Sequence, residues 1–185
     1  MTKAFRPTTL EHLIAMEEIR QLVLRYSFCV DGGRGVVDAA IYELFTEDGV
    51  WDSSDNGHGR YVGRQALSNF FSGGGGKVRP TWYNGGRKDK QRLLVHSVNN
   101  PLITEFDGDE ARGIVTYNGQ VLFDGVDYVV LEAGRYNDHY ARTADGWRFK
   151  SRVLEHVLPS RKLALTLATP EQSLPDVADR LKDAS

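Results

Sequence analysis

The sequence has one cysteine, two methionines and six prolines among 185 residues. A lone Cys29 excludes an internal disulfide and any cysteine-built zinc or iron–sulfur cluster, and it reads as a small, buried apolar group. Long hydrophobic runs are missing too. The longest mainly apolar stretch, Ala164 to Ala168 with Thr166 inside it, is far short of the roughly 18 residues a membrane helix needs. Met1 to Pro7 has no apolar signal core, so the expectation is a cytoplasmic, unprocessed chain with no membrane partner. Charge of one sign is also absent: 23 Lys and Arg face 25 Asp and Glu, and the basic residues are scattered rather than striped. That balance provides no electrostatic footprint for nucleic acid, which is not expected as a partner.

What is present suits one globular domain, predicted over residues 1–160, with a tail over 161–185 that packs on it or on a neighbouring subunit. Thr8-Thr9-Leu10-Glu11 has the form of a capping box and predicts a helix start. Leu10, Leu13, Ile14, Leu22, Val23, Tyr26 and Val30 then follow helical spacing, up to a stop at Asp31-Gly32-Gly33. A short helix is expected from Asp38 to Phe45, a turn at Glu47-Asp48-Gly49, a short strand from Val50 to Asp52, and a helix from Arg64 to Phe71 after Gly63. Ser72 to Gln91 holds six of the 19 glycines and reads as a long loop, with Trp82 and Tyr83 favouring a lid.

Beyond the loop the pattern alternates as strands do. Arg92 to Val98, Leu102 to Phe106, Ala111 to Phe123, Tyr128 to Thr143 and Trp147 to Val157 are predicted, with turns at Asp107-Gly108-Asp109 and Ala144-Asp145-Gly146. Helices first and long antiparallel strands afterwards predict an α+β fold. The expected form is a cone-shaped barrel, a curved, mostly antiparallel sheet closed by the N-terminal helices around an apolar pocket.

The histidines, at 12, 58, 96, 139 and 156, show neither His-x-His nor His-x-x-x-His spacing, so no metal is expected. Gly73 to Lys77 lacks the Ser or Thr, the preceding strand and the following helix of a phosphate-binding loop. No cofactor fingerprint is found. What remains is a long-range pairing. Asp31 sits at a helix end, from which its carboxylate can turn into whatever the helix covers; His96 sits mid-strand among apolar neighbours. The residues alone allow either a core histidine bonded to main chain or half of an Asp–His pair.

Four segments carry a resemblance: Tyr26 to Asp31; Leu44 to Trp51; His96 with Asn100-Pro101-Leu102-Ile103; and Arg135 to Asp138 running through Asp145-Gly146-Trp147-Arg148 to Arg152. In this order they resemble the SnoaL-like, nuclear-transport-factor-like superfamily over roughly residues 10–157, in the branch of scytalone dehydratase, bile acid dehydratase and hexachlorocyclohexane dehydrochlorinase. The resemblance implies that Asp31 orients His96 as a general base and that Arg152 and Tyr26 assist a leaving group. It implies a cofactor-independent lyase, a dehydratase, a related elimination or an isomerase, and a homo-oligomer, dimer or trimer. The glycine-rich segment lengthens the stretch between Asp31 and His96 relative to the family's short examples, and Tyr117, Asn118 and Gln120 supply no clear match to a further acidic or histidine side chain. Because the fold hosts many activities, a non-catalytic binding protein for an apolar metabolite, or the small subunit of a ring-hydroxylating dioxygenase, is the alternative.

The chemistry is coherent. An imidazole ordinarily titrates at about 6.5, and positioned acid–base catalysis supplies typically about 10²- to 10⁴-fold. Trp51, Phe45, Phe71, Tyr117, Tyr136 and Tyr140 are the candidate substrate-binding residues, implying an apolar cyclic or aromatic ligand. Asp138 shares a strand face with Tyr136 and Tyr140, and its role is open.

Overall fold

A computed structural model of the chain describes residues 4–31, 40–71, 92–123 and 129–158. The predicted loop over 72–91, the tail over 161–185 and the first residues of the second predicted helix lie outside the described residues.

Helix α1 spans Leu10–Val30. Its N-cap is Thr9 rather than Thr8: the Thr9 hydroxyl accepts from the His12 N–H at 3.2 Å. Thr8 instead approaches the His12 ring, its N–H lying 3.2 Å from Nδ1. The buried stripe runs Ala15, Ile19, Leu22, Val23, Tyr26 and Ser27, at the three-and-four spacing of one helix face. Leu10, Leu13 and Ile14, expected to be buried, are exposed because they lie off that stripe, which continues back through half-buried Met16 and His12 instead.

A short 3₁₀ turn, Ile41–Leu44, replaces the longer helix expected there and leads directly into strand β1, Phe45–Ser53. The predicted turn at Glu47-Asp48-Gly49 is therefore a bulge inside a strand. Between Phe45 and Val50, β1 advances five positions while its parallel partner advances two, from Phe149 to Ser151. Glycine is required within it, since a Cβ on Gly49 would lie 2.7 Å from that of Phe45. A strand that sequence patterning passed over, β2 (Gly59–Val62), returns antiparallel to β1. Gly63, at φ +83°, then turns the chain into helix α2, Arg64–Phe71, with the predicted bounds.

Strand β3, Arg92–Asp107, merges two predicted strands. Asn99-Asn100-Pro101 reads as a break but forms a bulge, with Asn100 at φ +51° and the pairing to β4 shifting between Asn99 and Leu102. Gly108, at φ +61°, makes the two-residue turn into β4, Glu110–Phe123. Strands β5 (Val129–Thr143) and β6 (Gly146–Leu158) complete a meander. The described strands form one curled six-stranded sheet in the order β2-β1-β6-β5-β4-β3, antiparallel except where β1 meets β6. Strand alternation sends Ala111, Val115, Tyr117, Tyr136, Tyr140, Phe149 and Leu154 to the face covered by α1. The mixed α+β fold with a curled sheet and N-terminal helices is the predicted class.

Candidate active site

The last turn of α1 brings Asp31, its C-cap residue, against β3. His96 Nδ1 lies 2.7 Å from Asp31 Oδ1, and the His96 backbone N–H donates to Asp31 Oδ2 at 2.8 Å. The second contact is possible because β3 is at the edge of the described sheet, where its main-chain N–H groups on the side away from β4 have no ladder partner among the described strands. One carboxylate therefore holds both the ring and the backbone that carries it. The imidazole is 9% exposed and the Asp31 side chain 19%, so the pair is sheltered without being sealed. An Asp31 oxygen at Nδ1 directs Nε2 away from the helix as the ring's second functional nitrogen.

Tyr117 faces the imidazole, with ring centroids 6.4 Å apart and 30° between planes. Tyr117 stacks on Tyr136 at 4.6 Å and 24°. This layer needs Gly134: a Cβ there would lie 2.9 Å from Tyr117 Cε1 and against the Glu155 carbonyl. Among the described residues, Tyr117 alone of the six expected substrate-binding aromatics makes a ring contact with His96.

Arg152 is fully buried and forms an interior ion pair. Its Nε and Nη2 donate to Asp138 Oδ1 and Oδ2 at 2.9 and 2.7 Å. Its guanidinium carbon lies 4.2 Å from the ring centroids of Tyr26, Tyr136 and Phe149. Burial acts to lower the Arg152 pKa, but the Asp138 charge and hydrogen bonds more than offset this and the net shift is upward. Nη1 is buried without a hydrogen-bond partner among the described residues. The Tyr140 hydroxyl donates to Asp138 Oδ2 at 2.8 Å, so Tyr140 supports the ion pair from within the core. Asp138, left open by the sequence, is the hub of this network.

Tyr26 is one of the rings packed against the guanidinium. Its hydroxyl accepts from Trp51 Nε1 at 2.7 Å, and burial pushes its pKa up to about 12, with Arg152 acting in the opposite direction. Trp51 in turn joins Phe71, Phe70 and Tyr61 in a second aromatic group, with centroids 5.3, 4.9 and 6.0 Å away. Phe45 packs on Phe149 and edge-on to Tyr26, as a core residue beneath these contacts. Tyr61 is not singled out by the sequence; its signal is the alternation of β2. Cys29 is half-buried and packs against the core, and burial raises its pKa.

Among the described residues, no group of three or more His, Cys, Asp or Glu side chains is placed to hold a metal ion. No described helix is long and apolar enough to cross a membrane.

Residues 11–153 match the family model described as the SnoaL-like domain. No curated protein matches the sequence. The fold is similar to that of a protein provisionally assigned as an aromatic ring hydroxylase from Novosphingobium aromaticivorans, at 25% identity and TM-score 0.61, covering 80% of this chain and 92% of that one. A protein from the same organism, provisionally assigned as a scytalone dehydratase, is 19% identical with TM-score 0.59, covering 82% of this chain and 89% of that one. A hexachlorocyclohexane dehydrochlorinase from Novosphingobium barchaimii is 18% identical with TM-score 0.60, covering 80% and 90%. At under 25% identity, the last two likenesses speak to the fold.

Proposed function

The chain belongs to the SnoaL-like domain family, and we propose that it is a cofactor-independent lyase, acting by elimination on an apolar cyclic or aromatic small molecule through an Asp31–His96 general-base pair. The observation that carries this reading is the double attachment of His96 to Asp31 at 2.7 and 2.8 Å, beside the Tyr117–Tyr136 layer.

In this reading Nδ1–H donates to Asp31 and the Nε2 lone pair removes a proton from a substrate carbon. Asp31 fixes the tautomer and stabilises the imidazolium that forms. The electron pair left on carbon moves into the new double bond as the adjacent carbon–oxygen bond breaks. The imidazolium returns its proton to the departing oxygen, which leaves as water. Tyr26, kept protonated by its burial, and Arg152 are the donors available to the oxygen atoms of the substrate. Dehydration is the simplest such elimination; loss of a small carbonyl fragment or a double-bond shift would use the same groups. The solved structures of similar fold assigned as a dehydratase and a dehydrochlorinase support an elimination.

The test is a turnover screen of cyclic and aryl hydroxy ketones with the wild-type protein and His96→Ala. Turnover by wild type and none by a folded His96→Ala is expected. Undiminished turnover by the variant would remove His96 from the mechanism.

A further inference from the structure

The Arg152 guanidinium has an unusual division of its donors. Asp138 occupies one edge of its plane through Nε and Nη2, three aromatic rings crowd it at 4.2 Å, and Nη1 is left buried with no acceptor among the described residues. A buried donor without an acceptor is destabilising, so Nη1 is a position where a ligand atom would be bound favourably. One of the crowding rings, Tyr136, stacks on the Tyr117 ring that faces His96, so the guanidinium packs on the same aromatic layer as the proposed base.

Charge decides what that atom can be. Both side chains of the pair are fully buried, and Asp138 is further anchored by the Tyr140 hydroxyl. The pair is formally neutral. A ligand carboxylate at Nη1 would place a second negative charge close to Asp138 with a single positive charge between them, and it would be stripped of water to get there. An uncharged oxygen accepts the same N–H bonds without that cost.

We propose that Arg152 Nη1 binds an uncharged oxygen, a ketone or hydroxyl on an apolar ring system, and that Asp138 is a specificity-determining residue that makes the site reject the corresponding carboxylate. This rests on the reading of the Tyr117–Tyr136 layer as the substrate site and narrows its substrate class. An unpaired arginine would select anions; the buried Asp138 inverts that preference.

The experiment is calorimetric titration of the full-length protein with matched probes, methyl naphthyl ketone against naphthoate and cyclohexyl methyl ketone against cyclohexanecarboxylate. The wild type is expected to bind a ketone at least about tenfold more tightly than its carboxylate. Asp138→Asn, which removes the resident negative charge, is expected to narrow or invert that ratio. Equal or tighter carboxylate binding by the wild type overturns the proposal, as does failure of every probe to bind. An unchanged ratio in a folded Asp138→Asn overturns the role of Asp138. If that variant does not fold, the wild-type ratio decides alone. Neither ketone has a leaving group, so binding is read independently of chemistry. A ketone preference without turnover of any hydroxy ketone would sink the lyase reading and leave this assignment standing; turnover of a hydroxy carboxylate would do the reverse.

Discussion

Asp31 accepts two hydrogen bonds from His96, one from the ring and one from the main chain, across 65 positions of sequence. A carboxylate with an oxygen committed to each N–H cannot be replaced by an amide without turning one contact against a donor. Asp31→Asn is therefore expected to lower kcat by roughly 10²- to 10⁴-fold while leaving the circular-dichroism spectrum unchanged. Steady-state kinetics on any substrate found in the screen check this, and a loss smaller than about tenfold would argue that Asp31 only anchors the edge strand.

The Arg152–Asp138 pair is a second commitment, this time of stability. Removing one partner leaves the other as an uncompensated interior charge, so Asp138→Ala is expected to cost about 3–5 kcal/mol in denaturant unfolding. Replacing both, as Arg152→Met with Asp138→Leu, should recover most of that loss. A double variant no better than the single one would mean that the hydrogen bonds, rather than the buried charge, dominate.

Tyr26 predicts a loss of stability in alkali. Its folded pKa of about 12 lies above the ordinary tyrosine value of 10.0, because burial disfavours the phenolate. The unfolded chain therefore loses its proton first, and stability present below about pH 10 declines as pH rises through about 12. At one pKa unit per 1.36 kcal/mol, the Tyr26 contribution is roughly 3 kcal/mol. Tyr140, raised by burial and by Asp138, acts in the same direction. Unfolding midpoints measured across this range should be less pH-sensitive in Tyr26→Phe than in wild type.

Gly134→Ala tests the aromatic layer. The added methyl group meets Tyr117 Cε1 and the Glu155 carbonyl, so about 1–3 kcal/mol of destabilisation is expected. Because Tyr117 must shift, binding of the aryl ketone probe should weaken along with the fall in Tm. A stable variant with unaltered binding would show that the Tyr117 ring is not confined there.

Thr9→Ala is expected to cost about 1 kcal/mol through loss of the α1 cap, checked by thermal unfolding. An equal effect in Thr8→Ala would place the cap one residue earlier.

What could be read from the sequence was local. The bounds of α2 were legible because Gly63 supplies the left-handed turn before it and an amphipathic octet follows. The hairpin at Gly108 was legible for the same kind of reason. Bulges were not: Asn99-Asn100-Pro101 and Glu47-Asp48-Gly49 have turn chemistry, and only pairing with neighbouring strands keeps each inside a strand. Asp31 and His96 could be suspected from a helix end, a strand centre and a family resemblance. The bond from the His96 backbone could not, because nothing local says that β3 lies at an edge. Arg152 meeting Asp138 depends on the β5–β6 register, which shifts between His139 and Tyr140, and a count of alternating residues does not reveal such a shift.

The parallel contact between β1 and β6 has a temporal consequence. Residues 45–53 find their neighbour in residues 149–153, whereas β3 to β6 pair with strands adjacent in sequence. Contacts between distant parts of a chain form late, since loop closure must be achieved before they are rewarded. On the ribosome the amino-terminal third must wait for β6 to be synthesised before β1 can enter the sheet. The meander is then the part able to assemble first, and Trp51 reaches Arg152 only when β1 docks on β6.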